Sequence, residues 1–113
     1  MRHLLEAENG WVVCGEASDG DEAVERSRAL RPDVVVMDAI MPRLNGFDAT
    51  REILRSTPEI AVVITTLYDY PEILRQAQSA GALGCVGKLE TTRLLIPAVK
   101  SALDHQPFFP PLP

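Results

Sequence analysis

Asp38, Thr66 and Lys88 each close a short apolar, β-prone run: Asp33 to Met37 leads into Asp38, Ala61 to Thr65 into Thr66, and Ala82 to Gly87 into Lys88. If the three runs are parallel strands, a carboxylate, a hydroxyl and an ammonium converge on one crevice. That edge of an open α/β sheet is where its chemistry is placed. The set suits phosphoryl transfer onto Asp38. The carboxylate is the nucleophile, and Thr66 and Lys88 bind the oxygens of the incoming group. A divalent cation is also wanted, because the transferred group develops charge on its oxygens. Singly, each residue has a blander reading. An Asp after a strand starts turns, a Thr suits a strand by propensity, and a Lys is most often solvated. Their coincidence at three successive strand ends carries the argument.

The elements that must position them follow from the pattern. Val34 to Met37 are all apolar, as in a strand buried on both faces of a parallel sheet. Met1 to Glu8 looks like the end of an amphipathic helix, stopped by Asn9-Gly10. Trp11 to Cys14 reads as a short strand. Ser18 or Asp19 can cap the next helix, with Asp21 and Glu22 favouring its positive end, and Arg31-Pro32 ends it. Asn45-Gly46 turns into a helix with Phe47, Ile53 and Leu54 on one face. Pro71 to Ala80 is helical, with Gly81 as its cap. A last helix is expected from Thr91 or Thr92 to about His105, with Pro97 inside it either as a late start or as a kink. Alternating strands and helices with short connections predict a parallel sheet covered on both faces. Residues 106–113, rich in Pro, read as an extended linker stub after a domain at 1–105, with Phe108 and Phe109 available to pack back.

Composition narrows the classes. The chain of 113 residues is one small domain, and its net charge of −5 without a Lys/Arg cluster argues against a nucleic-acid surface. No stretch reaches the length of a membrane span. Cys14 and Cys85 have no metal-ligand spacing and read as buried thiols of a cytoplasmic protein.

With these residues in view, the chain resembles the receiver domain of bacterial two-component response regulators, and more narrowly those carrying a LuxR-type helix-turn-helix. The stretches that carry the resemblance are Gly15-Glu16-Ala17-Ser18-Asp19-Gly20, Arg31 to Asp38, Met41-Pro42, Asn45-Gly46, Ala49-Thr50, Thr65-Thr66, Ala80-Gly81-Ala82 with Gly84, and Lys88. The resemblance implies a flavodoxin-like (CheY-like) α/β fold with strand order 2-1-3-4-5. It makes Asp38 the phosphoacceptor, Thr66 the switch hydroxyl and Lys88 the phosphate-binding lysine. The backbone carbonyl of Ile40 would be a ligand of Mg²⁺. It further implies a sensor histidine kinase as donor, a homodimer as a form of output, and DNA contact only through an output domain outside residues 1–113. Such a domain accepts a phosphoryl group and is not otherwise an enzyme.

The departures matter as much. Receivers start with a strand ending in an acidic pair that holds Mg²⁺. Here the first strand and most of the first helix, roughly 15 to 25 residues by average element length, are expected to be missing. The acidic pair is therefore absent, and Mg²⁺ binding is weakened or lost. The gap falls between the expected Trp11–Cys14 strand and the Asp33–Asp38 strand, and it leaves two sheet edges facing each other. Leu67 stands where a small residue is usual, Cys85 where a switch aromatic is common, and Leu89 where many receivers have Pro. Ile40 and Tyr68 are poor at positioning an attacking water, which predicts slow loss of an acyl phosphate. Ile40 also removes the second carboxylate a phosphatase or hydrolase would need. The alternative to a phosphorelay receiver is a phosphorylation-independent interaction module with the same fold.

Overall fold

A computed structural model of the chain describes residues 1–41, 43–67 and 71–110. A short helix α1 (Arg2–Glu6) ends ahead of Gly10, whose φ of 87° turns the backbone. Helix α2 (Gly20–Leu30) starts at the expected cap. The Asp19 carboxylate accepts the Glu22 N–H at 2.9 Å, and the Glu22 carboxylate accepts the Ser18 N–H at 3.2 Å. Two otherwise orphaned amides are satisfied reciprocally, in the manner of a capping box. Helix α3 (Gly46–Ser56) is capped by Asn45, whose side-chain oxygen accepts the Asp48 N–H at 2.9 Å.

Three parallel strands follow the predicted runs: β1 (Val34–Asp38), β2 (Ala61–Thr66) and β3 (Gly84–Gly87), in spatial order β1-β2-β3. Their register sets Asp38 opposite Thr65, and Thr66 opposite Gly87. Helix α4 (Pro71–Ala80) precedes β3. A 3₁₀ turn at Lys88–Glu90 leads into α5 (Thr91–Leu103).

The sheet is covered on both faces, as the unbroken apolar runs require. On one face Met37, Val62, Ile64 and Cys85 pack with Phe47, Ile53, Leu74 and Ala77 from α3 and α4. On the other, Ala61, Val63 and Val86 pack with Leu95, Ala98, Val99 and Ala102 of α5. Pro97 lies inside α5 on its exposed side, so the carbonyl that loses its helical partner faces water. The helix starts at Thr91 and stops two residues before the expected His105.

The Trp11–Cys14 segment needs a correction: it is not a strand. The segment from Trp11 to Ala17 has no ladder among the described residues, and Val12 is 85% exposed. A strand exists only through a partner, and no partner lies beside this one. Cys14 is consequently exposed rather than buried, while Cys85 is buried in β3, and no disulfide joins them. A cleft of about 860 Å³ instead separates this segment from β1; Trp11, Val13, Val34, Val36 and Met37 are among its lining residues. No strand among the described residues pairs with the β1 edge facing it. The Asp33 carbonyl and the Ala39 N–H both bond toward β2. Since successive residues of a strand point their backbone groups to alternate sides, the N–H and C=O of Val34 and Val36 face the cleft, while the Asp38 carbonyl lies against Gly46.

In the tail, Phe108 and Phe109 pack back on the domain, as the sequence allowed. Phe108 donates its N–H to the Leu83 carbonyl at 2.8 Å and accepts the Cys85 N–H at 3.0 Å, forming a parallel bridge with Gly84 on the outer side of β3. Phe108 joins the α5-side core and Phe109 the opposite one. Residues 111–113, the rest of the expected linker stub, lie outside the described residues.

Candidate functional site

The C-terminal ends of β1, β2 and β3 bring the predicted chemistry together. Asp38 ends β1. The Ala39 N–H continues the ladder to the Thr65 carbonyl at 2.8 Å, which fixes the backbone just past the carboxylate. Lys88 follows β3 directly, and its ammonium lies 3.2 Å from Asp38 Oδ2. The Asp38 side chain is 41% exposed, so one side of the carboxylate is open to an incoming group.

The other carboxylate oxygen is held from within. Thr65, fully buried, donates its hydroxyl to Asp38 Oδ1 at 2.6 Å. Sequence reasoning gave Thr66 the task of binding the incoming phosphoryl oxygens and named no hydroxyl for the carboxylate itself. Thr66 ends β2 one residue further on, also buried, opposite Gly87. The register decides the matter: Asp38 pairs with Thr65, and opposed residues of parallel strands project to the same face. The adjacent Thr65-Thr66 pair was the available signal, but choosing between them required the register.

Helix α3 abuts the back of the site. A Cβ at Gly46 would overlap the Asp38 carbonyl and crowd Ala39 Cα, so only glycine lets the helix start this close to the strand end. The Gly46 N–H bonds the Ala39 carbonyl at 2.9 Å, and the buried Thr50 hydroxyl bonds the Gly46 carbonyl at 2.7 Å. The Asn45-Gly46 and Ala49-Thr50 motifs thus buttress the loop that follows Asp38.

The rim is apolar. Ile40, Leu67 and Leu89 are all exposed, Leu89 at 90%. Leu67 points to solvent and does not fill the crevice floor. Tyr68, expected to affect water positioning, and Pro42 of the Met-Pro motif lie outside the described residues.

This geometry meets a clear pattern among known proteins. The family described as "Response regulator receiver domain" matches residues 1–100. The chain belongs to the response regulator receiver-domain family. The receiver is 36% identical over 106 residues to the response regulator UvrY of Escherichia coli O6:H1, covering 94% of this chain and 49% of that protein. It is 35% identical over 111 residues to the response regulator GacA of Pseudomonas viridiflava, covering 98% and 52%. It therefore spans about half the length of these curated relatives. Among solved structures, a two-component response regulator of the LuxR family from Aurantimonas sp. SI85-9A1 superposes with a TM-score of 0.90 at 33% identity, covering 95% of the receiver and 76% of that chain. The signal receiver domain of the NarL regulator from Mycobacterium tuberculosis gives 0.84 at 30% identity, covering 92% and 84%. The flavodoxin-like architecture and the LuxR-type affinity expected from sequence both hold.

Receiver domains typically hold Mg²⁺ in an acidic pocket. Among the described residues, no three His, Cys, Asp or Glu side chains cluster closely enough to hold a metal ion. Asp38 and the backbone of Ile40 are the donors the sequence nominated. No described helix is long and apolar enough to cross a membrane.

Proposed function

We propose that this receiver accepts a phosphoryl group on Asp38 from a sensor histidine kinase and uses it to shift the conformation of its α4–β3–α5 surface. The observation that carries the reading is the Lys88 ammonium 3.2 Å from Asp38 Oδ2 at the mouth of an open crevice. An ammonium there neutralises charge on the oxygens of the incoming phosphoryl group. Thr66 stands one residue beyond Thr65, at the end of β2, where a hydroxyl could meet a phosphoryl oxygen once Asp38 is modified. The loop after β2 would then reorder, a population shift between two arrangements. Dimerisation, or release of a following DNA-binding domain, is the proposed consequence.

The donors described do not fit a tight Mg²⁺ site. Hard divalent cations want several oxygens in near-octahedral array, and among the described residues the carboxylate at the strand ends, Asp38, already bonds Lys88 and Thr65. We infer that Mg²⁺ is bound weakly by residues 1–113. This observation favours a second reading, a receiver that engages its partner without phosphorylation.

Treating the chain with acetyl phosphate or beryllofluoride in the presence of Mg²⁺, beside Asp38→Asn, separates the two. A mass gain, or an amide-spectrum shift around Thr66 and Lys88, that Asp38→Asn abolishes supports phosphoryl acceptance. A well-folded sample that gives neither response is a phosphorylation-independent module.

A further inference from the structure

The Thr65–Asp38 hydrogen bond distinguishes the two carboxylate oxygens. Oδ1 is tied inward to a fully buried hydroxyl at 2.6 Å, and Oδ2 faces the crevice and Lys88 at 3.2 Å. Thr65 sits in a strand buried along its whole length and opposite Asp38 in the register, so it has little room to withdraw. We propose that Thr65 is a positioning residue that selects Oδ2 as the attacking atom and shortens the lifetime of the resulting acyl phosphate. The proposal rests on Asp38 being the phosphoacceptor.

In the forward step Oδ2 attacks phosphorus, and the bond from phosphorus to the donor's leaving atom breaks. The leaving group departs with the electron pair and takes its proton from solvent. Oδ1 becomes the acyl carbonyl oxygen and still accepts the Thr65 hydroxyl. In hydrolysis a water attacks phosphorus, the P–Oδ2 bond breaks and its pair returns to Asp38. The water's proton passes to solvent, leaving inorganic phosphate and a carboxylate. Negative charge on Oδ1 therefore grows as the acyl phosphate breaks down. A hydrogen bond to an ionised acceptor is stronger than one to a neutral carbonyl, so the Thr65 hydroxyl favours the departing carboxylate over the acyl phosphate.

The test compares wild type, Thr65→Val and Thr65→Ser after loading from acetyl phosphate and removal of the donor, following decay of the Asp38-linked phosphoryl group. Val keeps the branched shape and loses the hydroxyl; Ser keeps the hydroxyl. Decay in Thr65→Val should slow about fivefold, the factor that corresponds to ~1 kcal/mol between charge-assisted and neutral hydrogen bonds. Thr65→Ser should decay within about twofold of wild type. A purely structural role would not lengthen the lifetime in Val and restore it in Ser. If Thr65→Val fails to fold, Thr65→Ala makes the same comparison. Equal decay in wild type and Thr65→Val overturns the role of Thr65 and leaves Asp38 as acceptor. Failure of wild type itself to gain an Asp38-dependent phosphoryl group overturns both.

Discussion

The two long edges of this sheet are finished differently. At β3, the outer edge is closed by Phe108, which exchanges two backbone hydrogen bonds with Leu83 and Cys85. At β1, the outer edge faces a cleft of about 860 Å³, and the segment across it forms no ladder among the described residues. Both edges are flanked by β-prone apolar sequence. Propensity supplies strands only when a backbone partner arrives, and here the partner arrived on one side.

Substitutions can break this comparison. The largest expected effect is in the closed part: Ile64→Ala, at a fully buried β2 position, should cost about 3 kcal/mol in urea unfolding, the usual range for emptying a packed aliphatic site. Val36→Ala on the open strand should cost about 1 kcal/mol, because the half-buried site has less packing to lose. Equal costs would show that β1 is as tightly closed as β2. Gly46→Ala should fall between these two, at about 2 kcal/mol, since the added carbon meets the Asp38 carbonyl and the first turn of α3 must move. It should also weaken phosphoryl loading, which the acetyl phosphate assay would read. Amide hydrogen exchange sharpens the picture residue by residue. Val34 and Val36, whose N–H groups face the cleft, should exchange faster than Val35 and Met37 on the same strand. Uniform protection along β1 would mean that its outer edge is paired. The smallest effect is Val12→Ala, within ~0.5 kcal/mol of wild type by thermal or urea unfolding, because Val12 is 85% exposed.

Much of this molecule was legible before any coordinates. Local chemistry gave the helix starts at Asp19 and Asn45, because a cap needs only its own next turn. Unbroken apolar runs gave β1 and β2, and strand-end placement gave the Asp38–Lys88 pair. What escaped was non-local. Trp11–Cys14 carries strand chemistry without a strand, since pairing depends on a neighbour that its own residues cannot specify. The Thr65–Asp38 hydrogen bond was not anticipated, because it follows from strand register, which a sequence read alone leaves open. Phe108 joined β3 across the whole length of α5, a contact whose loop entropy no local pattern announces. Cys14 followed the fate of its segment and ended exposed.

The Phe108 bridge also has a topological meaning. From Gly84 to Phe108 the backbone runs through β3, the 3₁₀ turn and α5, and then returns to its own starting point. Two hydrogen bonds buckle that contour shut. Lys88 rides inside it, so the ammonium that faces Asp38 is carried on a fastened belt rather than on an open arm. Without the two bonds at Phe108, β3 and the Lys88 that follows it would have β2 as their one backbone partner in the sheet among the described residues.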